Sequence, residues 1–335
     1  MIAIKLIDNV EVFEILDGHI YIGNSKEILN YNENFNTINK VDIGVFHMRK
    51  FCNNILIQPK EEEKRESIFI VNKDNKLLEN EILLKSFIDK DNIYILGSNR
   101  NICKYDNDLN KVEEYNNLGK FPSLFINNYY VKILSNTIFC YKLKNNEILW
   151  QHSFSELLEA EQGDDFIFQN GNIVVHNGKI YFSLFENNRH LNTVTVCIDV
   201  ETGKIEKKYK GFAGNLTLFS NKIAIAGDKV VEILDLETQT VLKKDYSKYL
   251  ETDNLSISWN SFKISEDEMF YFIASDYRQG SYIGIIDLKT DELIWLHALN
   301  PDKEIYDIGA LDFKVSENRM YVHCSDKSLY IFEKE

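Results

Sequence analysis

The chain has 335 residues and a net charge of −14, and 44% of its residues are hydrophobic and 13% aromatic. This hydrophobic content is enough to form a buried core and excludes a disordered chain. The negative charge argues against binding to nucleic acid or to an anionic membrane surface. We therefore expect a folded protein with neither nucleic acid nor membrane as a partner.

The N-terminus and the cysteines indicate the compartment. Residues 1–8 contain no basic segment, no long apolar run and no small-residue cleavage site, so they do not resemble a signal peptide. No stretch of the sequence approaches the roughly 18 to 20 apolar residues that span a bilayer. The odd number of cysteines and the lack of a Cys-x-x-Cys spacing indicate reduced thiols in the core. They are Cys52, Cys103, Cys140, Cys197 and Cys324. We predict a cytoplasmic protein.

A ten-residue phrase recurs along the chain and describes the end of a strand, a polar turn and the start of a new strand. Its clearest copies are residues 198–207, 234–243 and 286–295, which read IDVETGKIEK, LDLETQTVLK and IDLKTDELIW. Further copies begin at Tyr31, Val71, Tyr105 and Tyr141, and an eighth begins at Ile331 and is cut off by the chain end. The chain is therefore an array of antiparallel hairpins.

A second phrase, a polar turn followed by a β-branched or aromatic run, precedes each of these turns. Its eight copies are residues 17–22, 53–57, 91–95, 127–131, 177–182, 221–225, 268–272 and 318–322. With one more strand before it, each unit supplies four strands, A to D, in roughly 42 residues, which is the size of a propeller blade. We predict that residues 1–335 form a single all-β domain, an eight-bladed β-propeller of four-stranded antiparallel blades, with seven blades as the alternative.

The two chain ends suggest how the propeller closes. Residues 330–335 form strand C of the last unit, which has no strand D, whereas residues 1–7 precede the first A strand and have no blade of their own. Pairing the two segments would remove two exposed strand edges, which otherwise favour aggregation. We predict that the N-terminal strand completes the last blade.

The phrase Ile/Leu-Asp-x-Glu-Thr-Gly-Lys, followed by an apolar residue and Trp, resembles the repeat of the pyrroloquinoline-quinone-like β-propeller superfamily. The resemblance covers nearly the whole chain and implies that the Trp of one blade docks on the next blade, a position that Trp150 and Trp295 occupy. Quinone-dependent members imply an exported chain, an adjacent cysteine pair and a calcium bound by carboxylates. The sequence has no adjacent cysteines. Since fold alone does not establish function, we expect no cofactor.

Chemical motifs are absent from the sequence. The seven histidines have no metal-ligand spacing, and there is neither a Gly-rich phosphate loop nor a Gly-x-Ser-x-Gly nucleophile elbow. We interpret His152, His297 and His323 as structural residues. The sequence favours a non-catalytic protein with no catalytic residues and no metal site.

The long insertions all fall in B–C and D–A connections, which share one face because successive strands of a blade are antiparallel. They span residues 58–67, 153–169, 184–193, 246–259, 275–282 and 299–310. A Ser-x-x-Glu start at Ser153 predicts one short helix capped by that serine. Aromatic and Arg side chains are typical of binding hot spots. The predicted partner-binding residues on this face of blades 4 to 8 are Arg189, His190, Tyr249, Trp259, Tyr277, Arg278, Tyr306 and Asp307.

Together these features favour a monomeric propeller that binds another protein, one with basic charge, through its long-loop face. One concrete version is a bacterial immunity or antitoxin-type protein whose acidic surface blocks a basic toxin. The alternative is a propeller enzyme or a small-ligand-binding protein with its site at the mouth of the central channel.

Overall fold

The computed structural model describes residues 1–51, 54–60, 68–72, 77–80, 85–89, 92–96, 101–106, 110–116, 124–158, 166–186, 193–251, 254–276, 280–299, 309–316 and 318–334. The chain divides into two compact units. Unit 1 consists of residues 1–120 with 309–335, and unit 2 of residues 121–308. None of the helices in the described ranges has the length and hydropathy needed to cross a membrane.

Unit 1 is built from strands alone in its described ranges. In chain order they are β1 (Ile2–Ile7), β2 (Val12–Leu16), β3 (His19–Gly23), β4 (Ile28–Tyr31), β5 (Thr37–Val41), β6 (Val45–Phe51), β7 (Asn54–Pro59), β8 (Ile68–Asn72), β9 (Leu77–Asn80), β10 (Lys85–Asp89), β11 (Asn92–Leu96), β12 (Ile102–Tyr105), β13 (Lys111–Tyr115), β30 (Ala310–Ser316), β31 (Arg319–Cys324) and β32 (Leu329–Glu333). They form sheet 1 (β2–β5), sheet 2 (β6–β9), sheet 3 (β10–β13) and sheet 8 (β30, β31, β32 and β1).

In its described ranges, unit 2 contains the remaining strands and two short helices. They are β14 (Leu124–Ile126), β15 (Tyr129–Leu134), β16 (Thr137–Lys142), β17 (Ile148–Ser153), α1 (Phe154–Leu158), β18 (Phe166–His176), β19 (Lys179–Glu186), β20 (Thr193–Asp199), β21 (Ile205–Lys210), β22 (Thr217–Phe219), β23 (Lys222–Gly227), β24 (Val230–Asp235), β25 (Val241–Asp245), α2 (Ser247–Leu250), β26 (Ser256–Ile264), β27 (Met269–Asp276), β28 (Gly280–Asp287) and β29 (Glu292–Ala298). The strands form sheets 4 (β14–β17), 5 (β18–β21), 6 (β22–β25) and 7 (β26–β29).

These elements confirm the predicted fold class. The described strands form eight sheets, each of four strands, and consecutive strands pair antiparallel within every sheet. The seven complete hairpin phrases span the end of strand C and the start of strand D in sheets 1 to 7, and each second phrase coincides with the strand next to the first of its sheet. The predicted cap at Ser153 is also confirmed, because the Glu156 amide donates to Ser153 Oγ at 3.3 Å at the start of α1.

The predicted pairing of the chain ends is confirmed as well. Strand β1 lies antiparallel to β32, with Ile2 opposite Glu333 and Ile7 opposite Leu329. It forms the outer strand of sheet 8, so the N-terminal residues supply the fourth strand that the last repeat lacks.

The C–D turns of sheets 5, 6 and 7 share one local design, in which an aspartate at the end of strand C accepts backbone hydrogen bonds from its own turn. Asp199 Oδ1 accepts from the Thr202 amide at 2.9 Å. Asp235 Oδ1 accepts in the same way from Thr238 at 2.8 Å, and Asp287 Oδ1 accepts from Lys289 at 2.7 Å. These backbone hydrogen bonds favour the charged form and lower the pKa of all three carboxyl groups.

This design predicts a stability that depends on pH. A carboxyl group whose pKa is lower in the folded state stabilises the fold above its unfolded pKa of about 3.9, and this stabilisation is lost as the pH falls through the folded value. Asp235→Asn keeps an oxygen acceptor but does not titrate. We expect its urea midpoint to fall less steeply than that of the wild type between about pH 5 and pH 2.5. Parallel curves for the two proteins would contradict this origin of the acid sensitivity.

Adjacent sheets of unit 2 are joined by a side chain on strand D, or directly after it, that docks on the next C–D turn. Trp150 on β17 is 8% exposed, and its Nε1 donates to the carbonyl oxygen of Val200 at 2.8 Å. Its ring covers Gly203, where an added Cβ would lie 2.3 Å from Trp150 Cγ. The docking that the repeat resemblance implies is therefore present between sheets 4 and 5.

Tyrosines replace tryptophan at the next two junctions of unit 2. The Tyr209 hydroxyl on β21 donates to Gln239 Oε1 in the turn of sheet 6. The Tyr246 hydroxyl, after β25, donates to Asp291 Oδ1 in the turn of sheet 7 at 2.9 Å. Gly203, Gln239 and Asp291 occupy the same left-handed turn position, with φ of +70°, +60° and +61°. Contacts of the same kind thus persist where the repeat has lost its Trp.

Candidate functional site

A cavity of about 330 Å³ lies within unit 2, between sheets 5, 6 and 7. Among the described residues, six apolar side chains, two glycines and one carboxylate line it: Phe185, Ala213, Ile225, Ala226, Val230, Trp259, Gly214, Gly227 and Glu232. Its volume is at the lower end of the range of about 300–1,000 Å³ that ligand pockets occupy. The cavity has room for one side chain or a small ligand.

The lining residues come from one end of the three sheets. Phe185 lies near the end of β19, and residues 225–227 end β23, so both positions precede a B–C connection. Ala213 and Gly214 belong to the D–A connection between sheets 5 and 6. The cavity is therefore at the B–C and D–A end, the face on which the sequence predicts the functional loops.

Trp259 is the largest exposed side chain of the lining, with 49% of its surface accessible. It stands on a bulge of the edge strand β26, because Ile257 pairs with Ala274 and Phe262 with Phe272. Four residues of β26 therefore face one residue of β27. The sequence predicts Trp259 in a D–A connection; the structure corrects this, since β26 begins at Ser256 and the bulge turns the indole out of the sheet.

The wall beside Trp259 is fixed by backbone pairing. The Ile257 amide donates to the Asp228 carbonyl oxygen at 2.5 Å, and Ser256 Oγ donates to Asp228 Oδ1 at 2.7 Å. Asp228 forms the tip of the β23–β24 hairpin with φ of +52°. This tip is thus attached to the strand that displays Trp259.

A buried hydroxyl network holds another part of the lining. Thr195 Oγ1 donates to the Phe212 carbonyl oxygen at 2.6 Å and lies 3.0 Å from Ser183 Oγ. Ser183 Oγ in turn accepts from the Gly214 amide at 3.2 Å. Both hydroxyl-bearing residues are fully buried. Since buried polar groups are costly to leave unpaired, this network holds the connection that contains Ala213 and Gly214.

The charge near the cavity is acidic. Glu232 is the ionisable residue among the described residues that line it, and its side chain is 21% exposed. Lys243 Nζ lies 3.6 Å from Glu232 Oε1, but the lysine side chain is 64% exposed, so the pair is weak. Asp228 is exposed and directly follows the lining residue Gly227. An apolar cavity with an aromatic wall therefore has carboxylates within and beside it.

The predicted contact residues are only partly described. Arg189, His190, Tyr277, Arg278, Tyr306 and Asp307 lie outside the described residues. Tyr249 is half-buried, and its hydroxyl donates to the Asp291 carbonyl oxygen at 3.0 Å, which ties it to the turn of sheet 7. Of the two that the structure describes, Trp259 lines the cavity.

The sequence did not lead us to predict Glu232 as a site residue, although one sequence feature indicates it. It is a carboxylate within the apolar run Val230–Asp235 of β24. A charge in such a run, on an inner strand of its sheet, indicates a position that faces a cavity or a partner.

Three thiols outside the cavity are buried, and two histidines contact the backbone. Cys140, Cys197 and Cys324 are buried, and burial raises the pKa of Cys140 and of Cys324 to about 12. His152 and His323 contact backbone oxygens of Gly203 and Val10 through Nε2, at 2.7 and 2.8 Å. Within the described ranges, no three His, Cys, Asp or Glu side chains are grouped so that they could hold a metal ion.

Comparison with known proteins identifies the fold. No family model and no curated protein matches the chain. BamB from Moraxella catarrhalis is similar in structure with a TM-score of 0.57 and 11% identity, and the match covers 99% of each chain. The computationally designed Ika8 protein has a TM-score of 0.62 and 11% identity, over 98% of this chain and 96% of that one. The C-terminal WD40 domain of Sif2 has a TM-score of 0.59 and 12% identity, over 99% and 98%.

The fold is a β-propeller. Each four-stranded sheet is one blade, with its first strand as A and its outer strand as D. At 11–12% identity these similarities concern the fold alone, so function has to be argued from the residues of the propeller itself.

Proposed function

We propose that this β-propeller is a non-catalytic protein-binding module whose contact surface centres on Trp259 and the adjacent cavity. The observation that supports it is a half-exposed Trp, raised on a strand bulge beside an apolar cavity. Trp is among the residues most enriched in interface hot spots, and a nearby pocket allows a partner side chain to be buried. A position on the end of the blades that bears the long connections also supports a binding role.

The rigidity of this surface supports the proposal further. The hairpin tip at Asp228 is attached to β26 through Ile257, and the Ser183–Thr195 network holds another part of the lining. A surface that is already ordered loses little conformational entropy when a partner binds. The same aromatic group on a flexible loop would bind more weakly.

Several finer statements belong to this proposal. We propose a single propeller domain over residues 1–335, acting as a cytoplasmic monomer, with repeats of the pyrroloquinoline-quinone-like type. The net charge of −14 and the carboxylates near the cavity favour a partner with basic charge. In one concrete version the protein is a bacterial immunity protein that blocks a basic toxin. A toxin gene beside the gene for this chain would support that version, and neighbourhoods that consistently lack one would contradict it.

Two serine substitutions test the contact surface. Trp259→Ser removes the proposed hot spot, whereas Leu242→Ser removes a similarly exposed apolar side chain, 55% accessible, from the outer strand β25 of the same unit. We expect Trp259→Ser to weaken binding of a co-purifying protein by roughly 30-fold, since hot-spot residues contribute about 2 kcal/mol or more. Leu242→Ser should bind as the wild type does.

Melting temperature serves as the control for this experiment, because both side chains are exposed and neither substitution should unfold the protein. If Trp259→Ser and Leu242→Ser bind the same proteins with equal affinity, the named surface is wrong. A small molecule that co-purifies with the wild type and is lost from Trp259→Ser would instead favour the alternative of a small-ligand-binding propeller.

A further inference from the structure

We propose that the cavity between sheets 5, 6 and 7 receives an arginine side chain of the partner protein. This inference rests on the proposed function and adds the chemistry of the group that is recognised. It follows from three properties of the lining: an aromatic wall, a carboxylate and an apolar floor.

The aromatic wall favours a planar cation. Trp259 and Phe185 both line the cavity, and the indole is half exposed. Trp has the most favourable ring for cation–π contacts, and the planar guanidinium of arginine stacks on aromatic faces better than the compact ammonium of lysine does. An uncharged planar group would gain the stacking but not the electrostatic attraction.

The carboxylate supplies a partner for the charge. Glu232 lines the same cavity, and its oxygens fit the paired N–H groups of a guanidinium. Lys243 Nζ lies 3.6 Å from Glu232 Oε1, and the lysine side chain is 64% exposed. Displacing this lysine into water therefore costs little. The nearby carboxylate of Asp228 adds to the attraction for a cation, although it already accepts a hydrogen bond from Ser256.

The apolar floor suits the stem of the arginine. Ile225, Ala226 and Val230 also line the cavity. Arginine buries its aliphatic methylenes against such surfaces while its charged end is paired. A free inorganic cation would leave this surface uncovered, so the lining favours a long cationic side chain over a metal ion.

The test titrates the full-length protein with N-acetyl-arginine methylamide and follows the indole N–H signal of Trp259 by NMR. Trp259→Phe identifies that signal, because it removes one of three indole peaks. We expect a saturable shift with a Kd on the order of millimolar. The lysine analogue should bind severalfold more weakly, and the norleucine analogue should give no saturable shift.

Glu232→Gln provides the matched test of the charge. We expect it to weaken binding of the arginine probe at least about fivefold, while Glu251→Gln, which removes an exposed carboxylate that does not line the cavity, leaves the affinity unchanged. Equal affinities for the arginine and norleucine probes, or no effect of Glu232→Gln, would overturn the inference.

Different results would contradict the arginine assignment and the proposed function. If Trp259→Ser abolishes partner binding but the arginine probe gives no saturable shift, the surface binds a protein and the arginine assignment is wrong. If the probe binds as expected but Trp259→Ser keeps its protein partner, the cavity recognises a guanidinium and the proposed contact surface is wrong.

Discussion

Deletion of residues 1–7 is expected to destabilise unit 1 by more than a typical single substitution in a protein core does. The deleted strand β1 pairs along β32 from Ile2 to Ile7. Ile4 and Ile7 also pack against a core cluster that includes Phe13 and Ile331. The lost strand hydrogen bonds contribute about 1 kcal/mol each, and the lost packing of these two isoleucines adds to this, so the total reaches roughly 5 kcal/mol. This is comparable to the whole stability of an average domain, about 5–15 kcal/mol.

Thermal melting and size-exclusion chromatography measure this effect. The deletion exposes the edge of β32, so we expect a lower melting temperature together with aggregation. The double substitution Ile2→Ser with Leu6→Ser is the control, because these side chains of β1 are 51% and 49% exposed and the pairing remains. A deletion variant that melts as the wild type does would show that β1 does not stabilise the last blade.

Trp150→Ala is expected to lower the free energy of unfolding by about 3–5 kcal/mol, because it leaves a large cavity between sheets 4 and 5. Trp150 packs in a core cluster with Ile138, Ile198 and Val200, and its indole N–H satisfies the Val200 carbonyl oxygen. The opposite change tests the same contact. Gly203→Ala places a Cβ against the indole in a residue with φ of +70°, and we expect a loss of roughly 2–5 kcal/mol from strain and overpacking.

Gly178→Ala separates these two causes. Gly178 has nearly the same φ, +71°, but an added Cβ would meet nothing within 4 Å. Gly178→Ala should therefore lower the free energy of unfolding only through backbone strain, by about 1–2 kcal/mol. Urea denaturation of the three variants measures the differences. Equal losses for Gly203→Ala and Gly178→Ala would show that the contact with Trp150 contributes nothing.

Local chemistry explains why so much of the fold was predictable. The C–D turns of sheets 5, 6 and 7 have an aspartate that accepts hydrogen bonds from its own turn, as Asp199 and Asp235 do, so these hairpins can be recognised from ten residues at a time. The helix cap at Ser153 is also contained within four residues. The pairing of β1 with β32 was predictable because each chain end had an unpaired strand, which requires no knowledge of side-chain packing.

The cavity could not be predicted, because its lining is brought together by register and by contacts between sheets. The bulge that exposes Trp259 depends on how β26 pairs with β27. Phe185, Gly214 and Glu232 come from three separate segments and share no motif. Tyr209 and Tyr246 replace the docking Trp from positions that the repeat alignment does not mark. In each case the decisive contact joins residues that are distant in sequence.

The central claim is that a partner protein contacts Trp259 and the cavity beside it. Photo-cross-linking in the native cell tests it most directly, with p-benzoyl-phenylalanine placed at position 259 and, as the control, at position 242 on β25. We predict one dominant cross-linked protein of basic charge from position 259 and none from position 242. The same cross-links from both positions, or a dominant cross-link from position 242 alone, would contradict the claim.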